Sequence, residues 1–233
     1  KEYRNVLVGS LLKQYNNTNT SELTISNIKS LLDENAFTIV TGHQLNLFTG
    51  PLYFLHKIIA TINLSKKLAE KHPKNTFVPV YWMATEDHDF DEINYFNFDG
   101  KKVSWNRKDG GAVGRFSTEG LQEVFEVFSS HLGNSKNAKY LKELFSDAYL
   151  KHNNLADATR FIANKLFGEF GLVIIDGDDA KLKQLFNPFV KEELENQSSF
   201  KEVSNTIIEL EKNYPIQVNP REINLFYLGD DFR

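Results

Sequence analysis

The chain has 233 residues and a hydrophobic content of 41%, which is enough to bury the core of one elaborated domain. Its formal net charge is −4 and its lysines are scattered among acids, so we predict no nucleic acid partner. No apolar run approaches the length of a membrane span and residues 1–5 lack a signal peptide pattern, so we expect no membrane partner and a cytoplasmic location. The lack of cysteine excludes disulfides, a thiolate metal site and a cysteine nucleophile.

Two short apolar runs flank a long amphipathic segment near the start of the chain. Residues 37–41 form a β-branched run that Gly42 follows, and residues 77–83 form a second run. Between them, apolar residues recur at helical spacing over residues 52–68, with Pro51 suited to the first helical position. A strand, a helix and a strand in this order predict a parallel crossover that resembles half of a Rossmann fold.

An insertion is predicted at about residues 94–153. Apolar and polar residues alternate on both sides of Asp99-Gly100, a turn signal, and this pattern predicts a hairpin. Apolar residues at helical spacing then predict helices around residues 121–128 and 141–148. The insertion is therefore expected to consist of a hairpin and helices.

The core is expected to resume after this insertion. A third helix is predicted around residues 155–167, with Gly171 as its C-cap, and residues 172–176 form an apolar run typical of a buried parallel strand. A further helix is predicted near residues 203–210, followed by short apolar runs at 216–218 and 225–228. The fold class predicted is α/β, with a Rossmann-like parallel sheet as its core.

The loop after the first predicted strand is the first candidate site. Ligands of open parallel sheets bind beyond the carboxyl ends of the strands, where helix amides favour an anion. The residues predicted to bind a substrate or anion here are Gly42, His43, Gln44, Asn46, Thr49 and Gly50. The alternative is that the glycines only make turns and that His43 and Gln44 bond to nearby backbone, because the loop matches neither a P-loop nor the dinucleotide fingerprint.

Residues 84–92, directly after the second predicted strand, are the second candidate site. An imidazole flanked by carboxylates can act as a general base, bind a substrate ammonium or ligate a metal. We predict His88, Asp87 and Asp89 as catalytic residues and Glu86 as a substrate-binding residue. The alternative is an acidic first helical turn that stabilises the helix dipole, with His88 exposed and without a role.

A third candidate site lies in residues 217–224. Arg221 could form a forked pair with a substrate carboxylate, and Asn219 offers an amide beside it. The alternative is a surface arginine paired with a nearby acid. We predict both residues to bind substrate.

Taken together, the segments TGHQLNLFTGPLY, VPVYWMATEDHDFDEIN, GEFGLVIID and QVNPREINLFYL resemble the bacillithiol-biosynthesis cysteine-adding enzymes, also named putative cysteine ligases. The resemblance rests on the order and spacing of the segments and covers residues 37–233. The usual forms of that family have a second glutamine in place of His43, often a small residue in place of Asn46, and commonly glycine in place of Thr85.

The resemblance implies a Rossmann-like core similar to class I nucleotidyltransferases, followed by a C-terminal coiled-coil region. Family members are much longer, so residues 1–233 are expected to be an incomplete core, the N-terminal half of a ligase, and inactive alone. The implied reaction joins the carboxyl group of L-cysteine to the amine of glucosaminyl malate, giving bacillithiol, and a homodimer through the second half is an implied partner. The activating cosubstrate stays open, with a nucleotide such as ATP as one candidate, and no metal is predicted.

The chemistry of that amide formation suits the candidate residues. Thr49 and Gly50, at a helix N-terminus, suit an anion. His88 could take the proton of the attacking amine, while Asp87 or Asp89 orients the imidazole or holds an ammonium. Asn219 and Arg221 suit the malate end.

Two other functions remain open. Glu86, Asp87, His88 and Asp89 could hold a divalent metal for hydrolysis, with His43 as a further ligand. The chain could also be a non-catalytic module that binds a nucleotide or a sugar acid. Metal analysis would distinguish the first from a ligase, and calorimetry with the substrates would test the second.

Overall fold

A computed structural model of the chain describes residues 2–98, 100–108, 110–225 and 227. Its helices are α1 (Glu2–Gln14), α2 (Glu22–Ser30), α3 (Leu52–Lys71), α4 (Phe90–Ile93), α5 (Leu121–His131), α6 (Lys136–Leu150), α7 (Leu155–Phe167), α8 (Ala180–Gln184), α9 (Asn187–Asn196) and α10 (Ser198–Leu210). Its strands are β1 (Ala36–His43), β2 (Thr76–Met83), β3 (Tyr95–Phe98), β4 (Lys101–Ser104) and β5 (Val173–Asp176). Strands and helices succeed one another as in α/β proteins, which confirms the predicted class.

The core sheet has the strand order β1-β2-β5, and both pairs of strands are parallel. Residues Val78–Tyr81 of the central strand are buried, as expected for a parallel strand with neighbours on both sides. The register pairs His43 with Met83 and Met83 with Asp176, so the strands end in one row. This row is the carboxyl edge, where ligands bind in open parallel sheets.

Helix α3 packs on β1 and β2, whereas α1 and α7 pack on β5. The buried side chains of α3 include Phe54, Ile58 and Ile62, which lie four residues apart on one face of the helix, and the last two belong to the apolar pattern that predicted it. The ring of Phe54 meets that of Tyr81 edge-on, with centroids 5.4 Å apart. The predicted crossover from strand to helix to strand is therefore confirmed.

The segment between β2 and β5 contains the predicted hairpin and helices. β3 and β4 pair in antiparallel register, with Phe98 opposite Lys101, and Asp99 of the predicted turn lies outside the described residues. α5, α6 and α7 match the three helices predicted here. Phe48 from the loop after β1 packs among aromatic rings of this segment: Phe96, Phe128, Phe145 and Tyr149.

Some local predictions were wrong. Pro51 is the N-cap of α3, because its ψ of 150° is extended, and Leu52 is the first helical residue. Gly171 adopts a left-handed φ of 76° but closes the 3-10 turn Gly168–Phe170 rather than α7. The short apolar run at 216–218, for which no element was predicted, belongs to neither a helix nor a strand, and the run at 225–228 includes Phe226 and Leu228, which lie outside the described residues.

Helices α1, α2, α8 and α9 were not predicted. In α1, Gly9 interrupts the apolar residues, and the side chains buried on its inner face are few. Helix α1 is instead joined to the core sheet by polar groups at its C-terminal end, where Gln14 and Tyr15 form hydrogen bonds with the backbone of β5. Within the part of the chain that the structure describes, no helix is both long and apolar enough to cross a membrane.

Candidate functional site at the carboxyl edge of the sheet

The loops after β1 and β2 meet at the carboxyl edge, as the parallel crossover predicts. Gln44 follows β1, and its Nε2 donates to Asp87 Oδ2 at 3.0 Å and to Glu92 Oε2 at 2.5 Å. Asn46 Nδ2 reaches the carbonyl oxygen of Glu92 at 3.4 Å. Side chains from both candidate loops therefore form one polar cluster.

A hollow of about 490 Å³ opens beside this cluster, and we call it the β1-loop hollow. Its wall includes four of the residues predicted to bind a substrate or anion, together with one acid from α4: His43, Gln44, Asn46, Gly50 and Glu92. The volume suits a small metabolite. Gly42 and Thr49 do not line it, and the carbonyl oxygen of Gly42 accepts a hydrogen bond from Lys57 Nζ at 2.8 Å.

The backbone of the β1 loop is held in a strained conformation. Phe48 and Thr49 have φ values of 52° and 69°, in the left-handed region that side chains with a Cβ disfavour, and such residues cost on the order of 1–3 kcal/mol each. The aromatic cluster around Phe48 and the bond from its N–H to Tyr149 Oη, at 2.8 Å, hold it there. Gly50, at φ 56°, lies so close to Asn46 that any Cβ would collide with it. Thr49 and Gly50 therefore shape the hollow through the backbone.

Two polar atoms of the β1-loop residues lack partners. His43 Nε2 and Asn46 Oδ1 are buried, and within the described residues neither has a hydrogen bond. Burial, and then the positive charge of Lys57, hold the pKa of His43 below its usual value, so the imidazole is neutral near pH 7. Buried polar atoms without partners are uncommon, and they favour a site that a polar ligand completes.

Asp87 is the carboxylate of the β2 loop that joins the cluster. Burial alone would raise its pKa, but bonds from Gln44 and from the backbone N–H groups of Asp89 and His88 hold that pKa below its usual value. The charge of the neighbouring His88 acts in the same direction. Asp87 is therefore ionised at neutral pH and suited to hold a cationic group.

The other charged residues that follow β2 lie in different surroundings. The side chains of His88 and Asp89 are exposed at the surface beside Asp87. Glu86 turns away and pairs with Lys183 at 2.6 Å. The structure thus brings Asp87 together with Gln44, leaves His88 and Asp89 exposed, and separates Glu86 from Asp87. The three predicted catalytic residues, Asp87, His88 and Asp89, do not line the β1-loop hollow.

The loop after β5 carries a second charged network that the sequence patterns did not single out. Asp178 pairs with Lys183 at 2.6 Å and with Arg115, whose Nη2 lies 2.8 Å from Asp178 Oδ1. Burial would raise the pKa of Asp178, but these two cations hold it below its usual value. The sequence feature that could have indicated this network is the acidic run Asp176-Gly177-Asp178-Asp179 at the end of a buried strand. Its position resembles that of the acidic residues that follow β2.

This network borders a second hollow, of about 580 Å³, on the other side of the β2 loop. Trp82, Arg115 and Lys183 line it together with Glu86. Thr85 lies between the two sites, and its hydroxyl donates to Asp176 Oδ1. The N–H of Gly114 donates to the carbonyl oxygen of Thr85 at 2.9 Å, so the β2 loop is tied to the rest of the fold.

Asn219 and Arg221 lie elsewhere in the described structure. They line a small hollow of about 130 Å³ with residues of α10, among them Phe200 and Val203. None of the residues lining the β1-loop hollow borders it. The structure therefore does not bring these two residues together with the cluster, and their assignment to a substrate stays a prediction.

The metal alternative requires several acids and histidines to converge. Among the described residues, no group of three His, Asp or Glu side chains is placed to hold a metal ion. The divergence of Glu86 from Asp87 contributes to this, because Glu86 pairs with Lys183 beside the second hollow while Asp87 is bound by Gln44. The geometry gives no support to the hydrolase alternative.

Comparison with known proteins identifies the family. The family model described as bacillithiol biosynthesis BshC, N-terminal Rossmann-like domain, matches residues 1–233. Proteins named "Putative cysteine ligase BshC" from Flavobacterium johnsoniae and Flavobacterium psychrophilum are 64% and 62% identical to the chain over 99% of its length. One from Bacillus cereus strain B4264 is 32% identical over 86% of it. The chain spans 43%, 43% and 38% of these three curated relatives. The chain therefore belongs to the bacillithiol biosynthesis BshC family, in which it matches the N-terminal Rossmann-like domain.

Proposed function

We propose that the full-length protein, meaning a family member that contains this chain, joins the carboxyl group of L-cysteine to the amine of glucosaminyl malate by amide formation. The names of the relatives, which describe a cysteine ligase, support the cysteine half of this proposal. The observation that carries it is the polar cluster in which Gln44 bridges Asp87 and Glu92 beside the β1-loop hollow.

The cluster suits substrates that carry an amine. An ammonium group needs hydrogen-bond acceptors and negative charge, and the two carboxylates joined by Gln44 offer both. Near them, the unpartnered His43 Nε2 and Asn46 Oδ1 offer further polar contacts. We assign the binding of one amino substrate to this hollow.

The amide bond forms when the amine nitrogen attacks an activated acyl carbon. The carbon–nitrogen bond forms, the activating group leaves with the electrons of its bond to the acyl carbon, and the nitrogen gives up a proton. We assign His88 as the base that takes this proton, and Asp87 and Asp89 as the carboxylates that orient the imidazole. The low pKa of Asp87 makes it a weak base, which suits an orienting role rather than proton transfer.

Two further parts of the reaction are the binding of the malate carboxylates of glucosaminyl malate and the activation of the cysteine carboxyl group. Asn219 and Arg221 remain our proposed contacts for the malate carboxylates, because a guanidinium binds a carboxylate in a forked pair. Arg221→Lys should therefore raise the KM for glucosaminyl malate and leave the KM for cysteine unchanged. A nucleotide such as ATP is the proposed source of activation.

The test is an assay of the full-length protein with L-cysteine and glucosaminyl malate, with and without ATP. We expect a thiol product whose mass equals the two substrates joined with loss of water. Asp87→Asn should lower the rate, whereas the matched control Asp91→Asn, on the exposed side of α4, should leave it unchanged. If substrates bind but no joined product forms under either condition, the chain is better described as a binding module.

A further inference from the structure

The loop after β2 carries the proposed base, and a single 3-10 turn binds the backbone of this loop at two points. The turn, Val113–Arg115, lies in the insertion. The N–H of Gly114 donates to the carbonyl oxygen of Thr85 at 2.9 Å. The N–H of Val113 donates to the carbonyl oxygen of Asp87 at 2.8 Å. Because the first N–H groups of a helical turn have no partner within it, both donors are available to the loop.

The insertion also holds the far end of this loop. Phe116, directly after the turn, meets the ring of Phe90 edge-on, with centroids 5.4 Å apart. Trp105 meets the same ring at 5.2 Å. His88 thus lies between two anchored residues, Asp87 and Phe90. Its imidazole is exposed, but the backbone that carries it is fixed on both sides.

The turn is itself anchored in the core of the protein. The side chains of Val113 and Phe116 are buried, and α7 packs against the turn. The carbonyl oxygen of Phe116 accepts from the N–H of Leu155, the first residue of α7, at 2.9 Å. Arg115 pairs with Asp178 of the β5 loop. The turn therefore gives the β2 loop a fixed position relative to the core.

Thr85 joins the same loop to the core sheet. It is only 1% exposed, and its hydroxyl donates to Asp176 Oδ1 at the end of β5. Asp176 is held in turn by Gln14, which bonds to both its N–H and its carbonyl oxygen. The hydroxyl of Thr85 therefore fixes the loop relative to β5, while its carbonyl oxygen fixes the loop relative to the turn.

Gly114 allows the turn to approach the loop this closely. A Cβ at this position would lie 2.6 Å from the Cβ of Thr85 and 2.8 Å from its Cγ2, which is too close for carbon atoms. The φ of Gly114 lies outside the left-handed region, so its backbone conformation does not itself require glycine. The requirement at this position is therefore for space beside Thr85.

We propose that Thr85 and Gly114 are positioning residues of the ligase reaction, because together they fix the backbone from which His88 and the Asp87 carboxylate act. This inference rests on the proposed function. Neither residue is assigned a contact with substrate, so both act through the loop. Such placement matters, because a shift of about 1 Å in a reacting group can lower a rate on the order of 100-fold.

Gly114→Ala in the full-length protein tests the proposal. The added methyl group collides with Thr85 and should displace the loop, so kcat per folded molecule should fall by about 10- to 100-fold. The KM for glucosaminyl malate should change by less than about threefold, because its proposed contacts, Asn219 and Arg221, line a different hollow. In the control Gly133→Ala, no atom lies within 4 Å of the added Cβ, and kcat should stay at the wild-type value. A folded Gly114→Ala protein with wild-type kcat would overturn the proposal.

A second substitution distinguishes positioning from a general loss of structure. Thr85→Gly removes the side chain that the new methyl group meets, so in that background Gly114→Ala should lower kcat by less than about threefold. If Gly114→Ala were equally damaging with and without the Thr85 side chain, the contact between the two residues would not position the loop. Should Gly114→Ala fail to fold, Thr85→Val gives the test, because it removes the bond to Asp176. Its kcat should fall about tenfold, and a wild-type kcat would overturn the role of Thr85.

Hydrogen exchange separates this inference from the proposed function. In the full-length protein, the amides of Val113 and Gly114 should exchange slowly, because both bond to the loop. In Gly114→Ala, the peptide that contains them should take up about two more deuterons at early times, and Thr85→Gly should restore the protection. This pattern in a protein that forms no joined product would count against the proposed function alone. Faster exchange with an unchanged kcat would count against the positioning role alone.

Discussion

The loops after β2 and β5 both place several carboxylates at the carboxyl edge of the sheet, yet the partners of those carboxylates differ. Asp178 of the β5 loop is bound by Arg115 and Lys183. Asp87 of the β2 loop accepts from the side chain of Gln44 and from the backbone N–H of Asp89, and the charge of the neighbouring His88 adds to these local contacts. Charge density alone therefore does not identify a reactive site. We therefore propose that the β5 loop stabilises the fold and that the β2 loop is available to a substrate.

The β5 loop is tied further into the fold by its neighbours. Asp179 caps α8, since its Oδ1 accepts from the N–H groups of Lys181 and Leu182 at 2.9 and 3.1 Å. Ser10 of α1 donates to the same oxygen at 3.2 Å. Such caps typically contribute about 1 kcal/mol. In this loop, the acids complete structural contacts that leave little capacity for a ligand.

The largest expected effect is on turnover in the β2 loop. His88→Asn removes the proposed base, so kcat of the full-length protein should fall about 100-fold or more. The free energy of unfolding should change by less than about 0.5 kcal/mol, because the side chain is exposed. Steady-state kinetics and urea unfolding measure the two quantities. Turnover that stays near wild type would remove His88 from the mechanism.

A large effect on stability is expected in the β5 loop. Asp178→Asn keeps the size of the side chain but leaves Arg115 and Lys183 without their common carboxylate. We expect the free energy of unfolding to fall by about 1–3 kcal/mol, toward the lower end because both cations are about two-fifths exposed and screened by solvent. Urea unfolding of this chain measures it. A change below about 0.5 kcal/mol would show that the network is not structural.

The carboxylate of Asp178 should also make the stability of the chain depend on pH, with a smaller effect than the substitution has at neutral pH. The folded-state pKa of Asp178 is lowered, so its contribution is present above the unfolded-state pKa and is lost as the pH falls through the folded-state pKa. Stability should therefore decline below about pH 4, and less steeply in Asp178→Asn than in wild type. Part of the decline should remain, because Asp87 and Asp179 also have lowered pKa values. If wild type and Asp178→Asn lost stability identically as the pH falls, the structural role assigned to the Asp178 carboxylate would be contradicted.

The smallest effect is expected at His43. His43→Gln should change kcat by no more than roughly threefold, because the imidazole shapes the hollow and is not the proposed base. The folded-state pKa of His43 is lowered, so wild-type stability should fall as the pH drops below about 6.5, and the variant should lack this decline. Unfolding at pH 7 and pH 5 measures the difference. A loss of turnover as large as that of His88→Asn would exchange the roles of the two histidines.

The sequence predicted the parts of the fold that depend on local pattern. β1, β2 and β5 are continuous apolar runs, and α3 has a regular apolar stripe, so each was placed within a few residues. The predicted crossover also implied that the loops after β1 and β2 lie at the same edge of the sheet, because the carboxyl ends of parallel strands lie in one row. The bond between Gln44 and Asp87 itself was not predicted.

The rest depends on contacts between distant residues, which spacing does not reveal. Arg115 and Asp178 are 63 positions apart, and Gln14 and Asp176 are 162 apart. The strained φ of Phe48 has no sequence signal, because glycine would normally mark such a position. It is set by the aromatic cluster of the insertion, and that cluster exists only in the folded chain.

The most direct test is to measure turnover and the free energy of unfolding for both His88→Asn and Asp178→Asn in the full-length protein. We expect a crossed result: His88→Asn loses turnover and keeps its stability, while Asp178→Asn loses stability and, per folded molecule, turns over within a few-fold of wild type. If Asp178→Asn lost turnover per folded molecule as completely as His88→Asn, or if His88→Asn lost none, the assignment of catalysis to the β2 loop and of stability to the β5 loop would be contradicted.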